Sequence, residues 1–315
     1  MRARAWAVAW AVGCWGCGRT ELGADVDDLD GDAAAADERG ADDRGADDGR
    51  PDVGGPGERP CDPSDHVTDR DGDGIPDADD PFADDAARPG RARADAIYLQ
   101  SATTLTLLLL DDGEPFSTVG EFSFPEDPGG QVTDIAIDRF GVLYAQVSAQ
   151  LYTCDPATAA CWRLAPLASN SLGFIPQGLV DDDDDVLYTL AGSDWTRVDL
   201  CGAQVRPQVI STLSGYSSSG DIATNGSGIT VFTSPSNLGG DVVVSIDPAT
   251  GTVLGELGLP ATNLGVWGVV GYSLVFVMCD QLGGISVFDP IDGSGSAIAT
   301  APHECWGAAA HPDLR

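Results

Sequence analysis

Asp134-Ile-Ala-Ile-Asp138-Arg-Phe-Gly141-Val-Leu-Tyr144 reads as two short apolar strands joined by a polar turn that contains glycine. The same plan returns in Gln177-Gly-Leu-Val-Asp181 with Asp185-Val-Leu-Tyr188, in Asp221-Ile-Ala-Thr-Asn225-Gly-Ser-Gly228-Ile-Thr-Val231, and in Trp267-Gly-Val-Val-Gly271-Tyr-Ser-Leu-Val-Phe276. Each is followed by a further strand pair, opened in turn by Leu151-Tyr-Thr-Cys154, Trp195-Thr-Arg-Val198, Val243-Val-Ser-Ile246 and Ile285-Ser-Val-Phe288. Asp155-Pro-Ala-Thr158 and Asp247-Pro-Ala-Thr-Gly251 are hairpin turns, because proline fixes φ and glycine accepts positive φ. The anchors Ala136, Leu179, Ala223, Val269 and Ala308 lie 43, 44, 46 and 39 residues apart. Four strands in each period of roughly 40–50 residues is the pattern of propeller blades.

Working outward, Cys305-Trp-Gly-Ala-Ala-Ala-His311 begins a fifth unit and stops. At the other end Ala96-Ile-Tyr-Leu99, Thr104–Leu110 and Ser117-Thr-Val-Gly-Glu-Phe122 supply three strands that lack a first one. Joining the two ends completes a blade and closes the ring, which removes exposed sheet edges. The expectation is therefore an all-β fold over 96–315, a β-propeller of five four-stranded blades with one blade split between the chain ends. An open or truncated array is the alternative. On these motifs the chain resembles the broad YVTN/NHL/quinoprotein-like propeller group over 97–315, a resemblance that implies fold rather than function.

The cysteines fit this frame. Aligned with Ile246 and Val253, Cys154 and Cys161 face each other across a hairpin, close enough for a disulfide. Cys279 ends a second strand and Cys305 starts the first strand of the next blade, which puts both on one face and makes them a second expected pair. Cys17, Cys61 and Cys201 stay unassigned. Cys14 and Cys17 have no second pair at a spacing suited to zinc.

Ahead of the repeats, residues 61–90 hold the most specific chemistry in the chain. In Asp69-Arg-Asp71-Gly-Asp73-Gly74-Ile75-Pro-Asp77-Ala-Asp79-Asp80, oxygen ligands fall at positions 1, 3 and 5, a turn glycine at 6, the Ile75 carbonyl at 7, Asp77 at 9 and Asp80 at 12. Ca²⁺ takes six to eight hard oxygens, and alternate residues of a coiled loop can point inward together. Position 12 is Asp rather than Glu, and no helical pattern flanks the loop. The segment resembles a single thrombospondin type 3 repeat, a calcium-binding motif of extracellular proteins, with Asp69, Asp71, Asp73, Asp77 and Asp80 matching. One copy cannot share ions with neighbours, so a weak affinity of roughly 10⁻⁴–10⁻³ M is expected. The other reading is a charged linker that holds no ion.

The N-terminus reads as an address. A short basic stretch and about eight apolar residues precede Cys14, too few to span a bilayer. Ala11-Val12-Gly13-Cys14 resembles a bacterial lipobox, although that family usually has Leu where Ala11 stands. The resemblance implies lipidation of Cys14. Trp15, rather than Asp, then favours the outer membrane. The alternatives are a secretory signal cleaved near Gly16–Gly18 and a misplaced start. Residues 1–18 are thus read as the address. Residues 19–60, almost only Asp, Gly, Ala, Arg, Pro and Glu, are read as a disordered acidic tether.

The chain carries 16 Lys and Arg against 50 Asp and Glu, a net charge of −34. That field repels nucleic acid and excludes it as a partner class. No G-x-S-x-G elbow, H-E-x-x-H or P-loop is present. His303 and His311 read as loop residues, and Asp181–Asp185 as a solvated turn, with a weak calcium site as its other reading. Phe174, Tyr216, Trp267 and Trp306 fall on loops that enter first strands, where they form either a binding platform or packing between blades. The functional expectation is an exported, calcium-binding, non-catalytic envelope protein whose propeller meets an unknown protein or glycan. The alternative is an envelope hydrolase or lyase with a metal in the central channel.

Overall fold

Short β-branched and aromatic runs punctuated by Gly, Pro and Asp give strands and tight turns almost throughout. The computed structural model describes residues 66–110, 115–236, 240–257 and 265–314. The lipobox with Cys14, the 1–18 and 19–60 segments, Cys17 and Cys61 lie outside them. In chain order the strands begin with β1 (Ala96–Gln100), β2 (Thr104–Leu109), β3 (Phe116–Glu121), β4 (Val132–Ile137), β5 (Leu143–Val147), β6 (Gln150–Cys154) and β7 (Cys161–Pro166). They continue with β8 (Leu172–Ile175), β9 (Val186–Ala191), β10 (Asp194–Cys201), β11 (Gln204–Thr212), β12 (Ile222–Thr224) and β13 (Thr230–Pro235). The last are β14 (Asp241–Asp247), β15 (Thr252–Leu257), β16 (Val266–Tyr272), β17 (Val275–Asp280), β18 (Gly284–Phe288), β19 (Gly295–Thr300) and β20 (Gly307–Ala310).

They form five four-stranded antiparallel sheets: β4 to β7, β8 to β11, β12 to β15, β16 to β19, and a sheet ordered β20-β1-β2-β3. The last is the split blade, in which β20 pairs with β1 from Ile97 opposite Ala310 to Gln100 opposite Gly307. The innermost strands β4, β8, β12, β16 and β20 each pack beside the next, and β20 returns to β4. The protein is a closed five-bladed β-propeller.

Burial follows radius. The inner strands are almost wholly buried, whereas the outer strands β11, β15 and β19 alternate or face solvent. The core is divided into apolar clusters between neighbouring blades. Tyr98, Tyr144, Tyr188, Phe232 and Phe276, one on the second strand of each blade, are all fully buried. Close approach at the axis depends on glycine. A Cβ on Gly173 would stand 2.3 Å from the Ile222 carbonyl oxygen, and one on Gly271 would stand 2.1 Å from that of Thr224.

Two aspartates bind the inner strands together. Asp134 Oδ2 accepts from the Leu172 amide of the next blade at 2.6 Å. Asp221 Oδ1 accepts from Ile222 N at 2.8 Å, and its Oδ2 accepts from Val269 N and Ala308 N, each at 3.0 Å. One carboxyl thus spans three blades.

The repeat alignment needs one correction. Blade β8 to β11 takes Leu172–Ile175 as its inner strand, not the stretch around Leu179. Pro176 follows that strand, Gly178 has φ +87°, and Leu179 is 42 % exposed in the turn beyond. The shift also moves Phe174 from an entry loop into the sheet.

Both expected disulfides are present. Cys154 and Cys161 are paired residues of β6 and β7 with Cα atoms 4.0 Å apart. Cys279 and Cys305, 5.9 Å apart, tie β17 to the approach of β20 and so latch the ring. Cys201 is disulfide-bonded as well. The loops closed span separations of 7 and 26 residues. Loop-closure entropy then gives about 2.4 and about 3.5 kcal/mol. Replacing Cys279 and Cys305 by Ser should therefore lower the melting temperature more than replacing Cys154 and Cys161, and a differential scanning calorimetry comparison that reverses the order would count against the latch.

Candidate metal centre

The acidic segment is packed into the side of the propeller rather than held off it. Ile75 is fully buried in the cluster shared by the β4–β7 and β8–β11 blades, against residues such as Tyr144, Leu172 and Phe174. The Gly202 amide donates to the Ala78 carbonyl at 2.6 Å. Phe82 meets Trp162 edge-on at 5.4 Å, and the Arg88 guanidinium lies over the Phe82 ring at 4.8 Å. An amphipathic loop that buries Ile75 and packs the half-buried Phe82 against Trp162 gains apolar contact that a free spacer lacks.

Within that segment Asp69, Asp71 and Asp73 each bring a carboxylate oxygen within 4.8 Å of the others. Local hydrogen bonds hold the curl. Gly72 N and Gly74 N donate to the two oxygens of Asp69, and Ile75 N donates to Asp73 Oδ1. Gly72 and Gly74 have φ of +81° and +91°, a region glycine enters at little steric cost. Asp80 lies further along the segment, within reach of the charges of Asp71 and Asp73. It is 2 % exposed, its Oδ1 accepts from Phe82 N at 2.7 Å, and its buried Oδ2 has no hydrogen-bond partner. Asp71 Oδ2 is likewise buried without a partner.

The electrostatics follow from convergence. Burial first, then the charges of Asp73, Asp71 and Asp77, push the Asp80 carboxyl up to about 7. Burial also raises Asp73, with Asp71 and Asp69 adding to it. Asp77 has other partners. Its oxygens accept from the Thr68 hydroxyl at 2.8 Å and the Arg70 amide at 3.0 Å, and Arg70 Nε lies 3.1 Å away. Burial works to raise Asp77, but these contacts outweigh it and hold the carboxyl low. Asp69, Asp71 and Asp73 therefore converge, Asp80 stands close enough to feel the charges of Asp73 and Asp71, and Asp77 staples the neck of the loop. Hard oxygens in a partly buried cluster suit Ca²⁺.

The four aromatic residues do not form one platform. Phe174 is buried in β8, with its ring 5.4 Å from that of Tyr144. Tyr216 stands edge-on to Phe232 and donates to Glu256 at 3.1 Å. Trp267 and Trp306 do meet, at 5.9 Å and edge-to-face, with Trp306 Nε1 donating to Glu304. Nor is Asp181–Asp185 simply a solvated turn. Asp184 pairs with Arg139, and Asp181 lies 3.3 Å from Arg197.

The central channel narrows to a cavity of about 40 Å³ between the five inner strands. Its wall is Ala, Gly, Val, Ile and Leu with Phe174, Thr224 and Asp221, the last already bonded to three amides. Sequence reading missed Asp134 and Asp221, although each stands directly before Ile-Ala in its repeat.

The fold and loop together define a class: a closed five-bladed propeller with an acidic loop fastened between two blades. No family model matches the chain, and no curated protein matches it. Among solved structures, it is similar to an auxiliary nutrient binding protein from Bacteroides thetaiotaomicron, at 14 % identity and a TM-score of 0.40, over 67 % of this chain and 56 % of that one. It is also similar to the extracellular domain of a protein from the same organism described as a hybrid two-component system, at 14 % identity and 0.37, over 68 % of this chain but only 29 % of that one. A protein of unknown function from Bacteroides caccae matches at 11 % identity and 0.36, over 66 % and 73 % of the two chains. At these scores and identities the roles of those proteins do not transfer. No helix among the described residues is long and apolar enough to cross a membrane.

Proposed function

We propose that this protein is an exported, calcium-binding, non-catalytic protein of the cell envelope, anchored through Cys14, whose propeller presents a binding surface to a protein or glycan. The observation that carries calcium is the convergence of Asp69, Asp71 and Asp73, with the charges of Asp71 and Asp73 bearing on Asp80, whose Oδ2 is buried and unpartnered. A divalent ion offsets like charges that otherwise oppose one another. Because Ile75 sits in the core between two blades, an ion in the loop stabilises the junction between loop and propeller rather than a remote stalk. The apolar channel wall, with its one carboxyl engaged by backbone amides, offers a hydrolase or lyase little to hold a metal with. Trp267 and Trp306 supply the aromatic part of the binding surface.

Calorimetry of the full chain tests calcium directly. With an affinity of roughly 10⁻⁴–10⁻³ M, a concentration of about 10 mM calcium should add about 1.4–2.7 kcal/mol of stability. Asp71→Ala should abolish both the binding heat and the rise in melting temperature. Absence of either effect in the unsubstituted protein at millimolar calcium refutes the reading.

A further inference from the structure

A second cluster lies where the acidic segment meets the β8–β9 turn. Ligand atoms of His66, Asp79 and Asp184 all fall within 4.8 Å of one another. His66 Nδ1 is 3.4 Å from Asp184 Oδ2, and His66 Nε2 is buried without a hydrogen-bond partner. These residues line a cavity of about 50 Å³, room for an ion with a water. Tyr144 lines the same cavity. It is 1 % exposed, so its hydroxyl is held away from bulk water. Asp79, Asp138 and Asp80 are the charges that bear on that hydroxyl.

The wall carries six carboxylates, Asp79, Asp138, Asp181, Asp184, Asp185 and Asp199, against the guanidinium groups of Arg139 and Arg197 among the described residues. Arg139 pairs with Asp184, and Arg197 bridges Asp181 and Asp199. The field inside the cavity is therefore negative. Asp138 is 5 % exposed and accepts from Phe140 N and Val142 N, which fixes its carboxyl beside the cluster.

We propose that His66, Asp79 and Asp184 form a second metal site, distinct from the calcium loop, that takes a divalent transition ion of the zinc type and pins the acidic segment to the propeller. The donor set decides the class. Calcium and magnesium take oxygen ligands, whereas an imidazole with carboxylates suits zinc and its neighbours. The Tyr144 hydroxyl donates to an ion-bound water or carboxylate and orients it. His66 stands before the loop, Asp79 within it and Asp184 on a blade, so one ion crosses the junction at three points.

The test uses the full chain, stripped with a chelator and then titrated with Zn²⁺ while calcium is held at saturation, so that the loop is not the site being read. One equivalent of Zn²⁺ should bind and raise the melting temperature. His66→Ala should weaken that binding by roughly tenfold or more, the scale on which metal-site substitutions act. Glu126→Ala, at an exposed position that lines neither cluster, should leave it unchanged. His66 is 22 % exposed in its side chain, so its replacement should not unfold the metal-free protein. Independently, Co²⁺-loaded unsubstituted protein should show a hyperfine-shifted imidazole proton by NMR. An identical Zn²⁺ isotherm in His66→Ala, no saturable binding in the presence of calcium, or no shifted imidazole signal each overturns the site.

Discussion

Removal of residues 302–315 should leave a chain that no longer unfolds in one cooperative transition. The deletion takes away β20, the innermost strand of the split blade. Strand β1 then becomes an open edge, and the packing of β20 against β16 and β4 is lost. Ala308 and Ala310 leave the apolar cluster they share with Ile97, Leu99 and Val270, and Cys279 loses its disulfide partner. A propeller has no other means of covering that edge, and exposed edges pair with other chains. Calorimetry should show a broadened or absent transition, and light scattering should show aggregation. Adding the 302–315 peptide in trans should restore the sharp melt. A truncated chain that melts like the parent would show that the ring does not need closure by its C-terminal strand.

Asp221→Ala should have the next largest effect. The carboxyl is 1 % exposed and ties the strand that starts at Ile222 to Val269 and Ala308 on the two following blades. Alanine leaves the Val269 and Ala308 amides buried without acceptors, at about 1–3 kcal/mol each. The expected loss of about 2–6 kcal/mol lowers the melting temperature of a domain this size by roughly 2–4 °C for each kcal/mol. Asn retains an acceptor oxygen and should cost less. The same pair of variants reads out a pH dependence. Burial first, and then the charge of Asp134, raise the Asp221 carboxyl well above the ordinary range. A folded value above the unfolded one of about 3.9 means that this contribution is fully present below about pH 4 and is lost as pH rises through the raised value. Removal of the titrating group in Asp221→Asn should flatten the fall in melting temperature above pH 4. A slope identical to the parent's would show that Asp221 does not titrate in the folded chain.

Much of this was legible in the chain because propeller repeats are local in sequence. Asp134-Ile-Ala-Ile and Asp221-Ile-Ala-Thr each mark an inner strand, and the half-units at Ala96 and Cys305 complete each other. Cys154 and Cys161 are opposed because a short hairpin fixes register within a few residues. Where the local signal was ambiguous the reading slipped. Gln177–Asp181 has the look of a strand, but Pro176 and the positive φ of Gly178 make it a turn. Strand pattern cannot say which of two adjacent apolar stretches reaches the axis, because that depends on packing against the neighbouring blades.

Sequence alone determined the period, the blade count, the split blade, and an acidic loop whose spacing suits a hard cation, since each depends on residues near one another along the chain or on a repeating pattern. Tertiary structure alone decided that Ile75 is driven between two blades, that Asp77 turns to Thr68 and Arg70, that Asp221 clasps three inner strands, and that His66 and Asp79 face Asp184. Thr68 and Arg70 are near Asp77 in the chain, but the other partners lie far apart, and only the packing of the acidic segment and of neighbouring blades brings them within bonding distance. Burial then sets which carboxylates keep water and which must find amides, guanidinium groups or an ion.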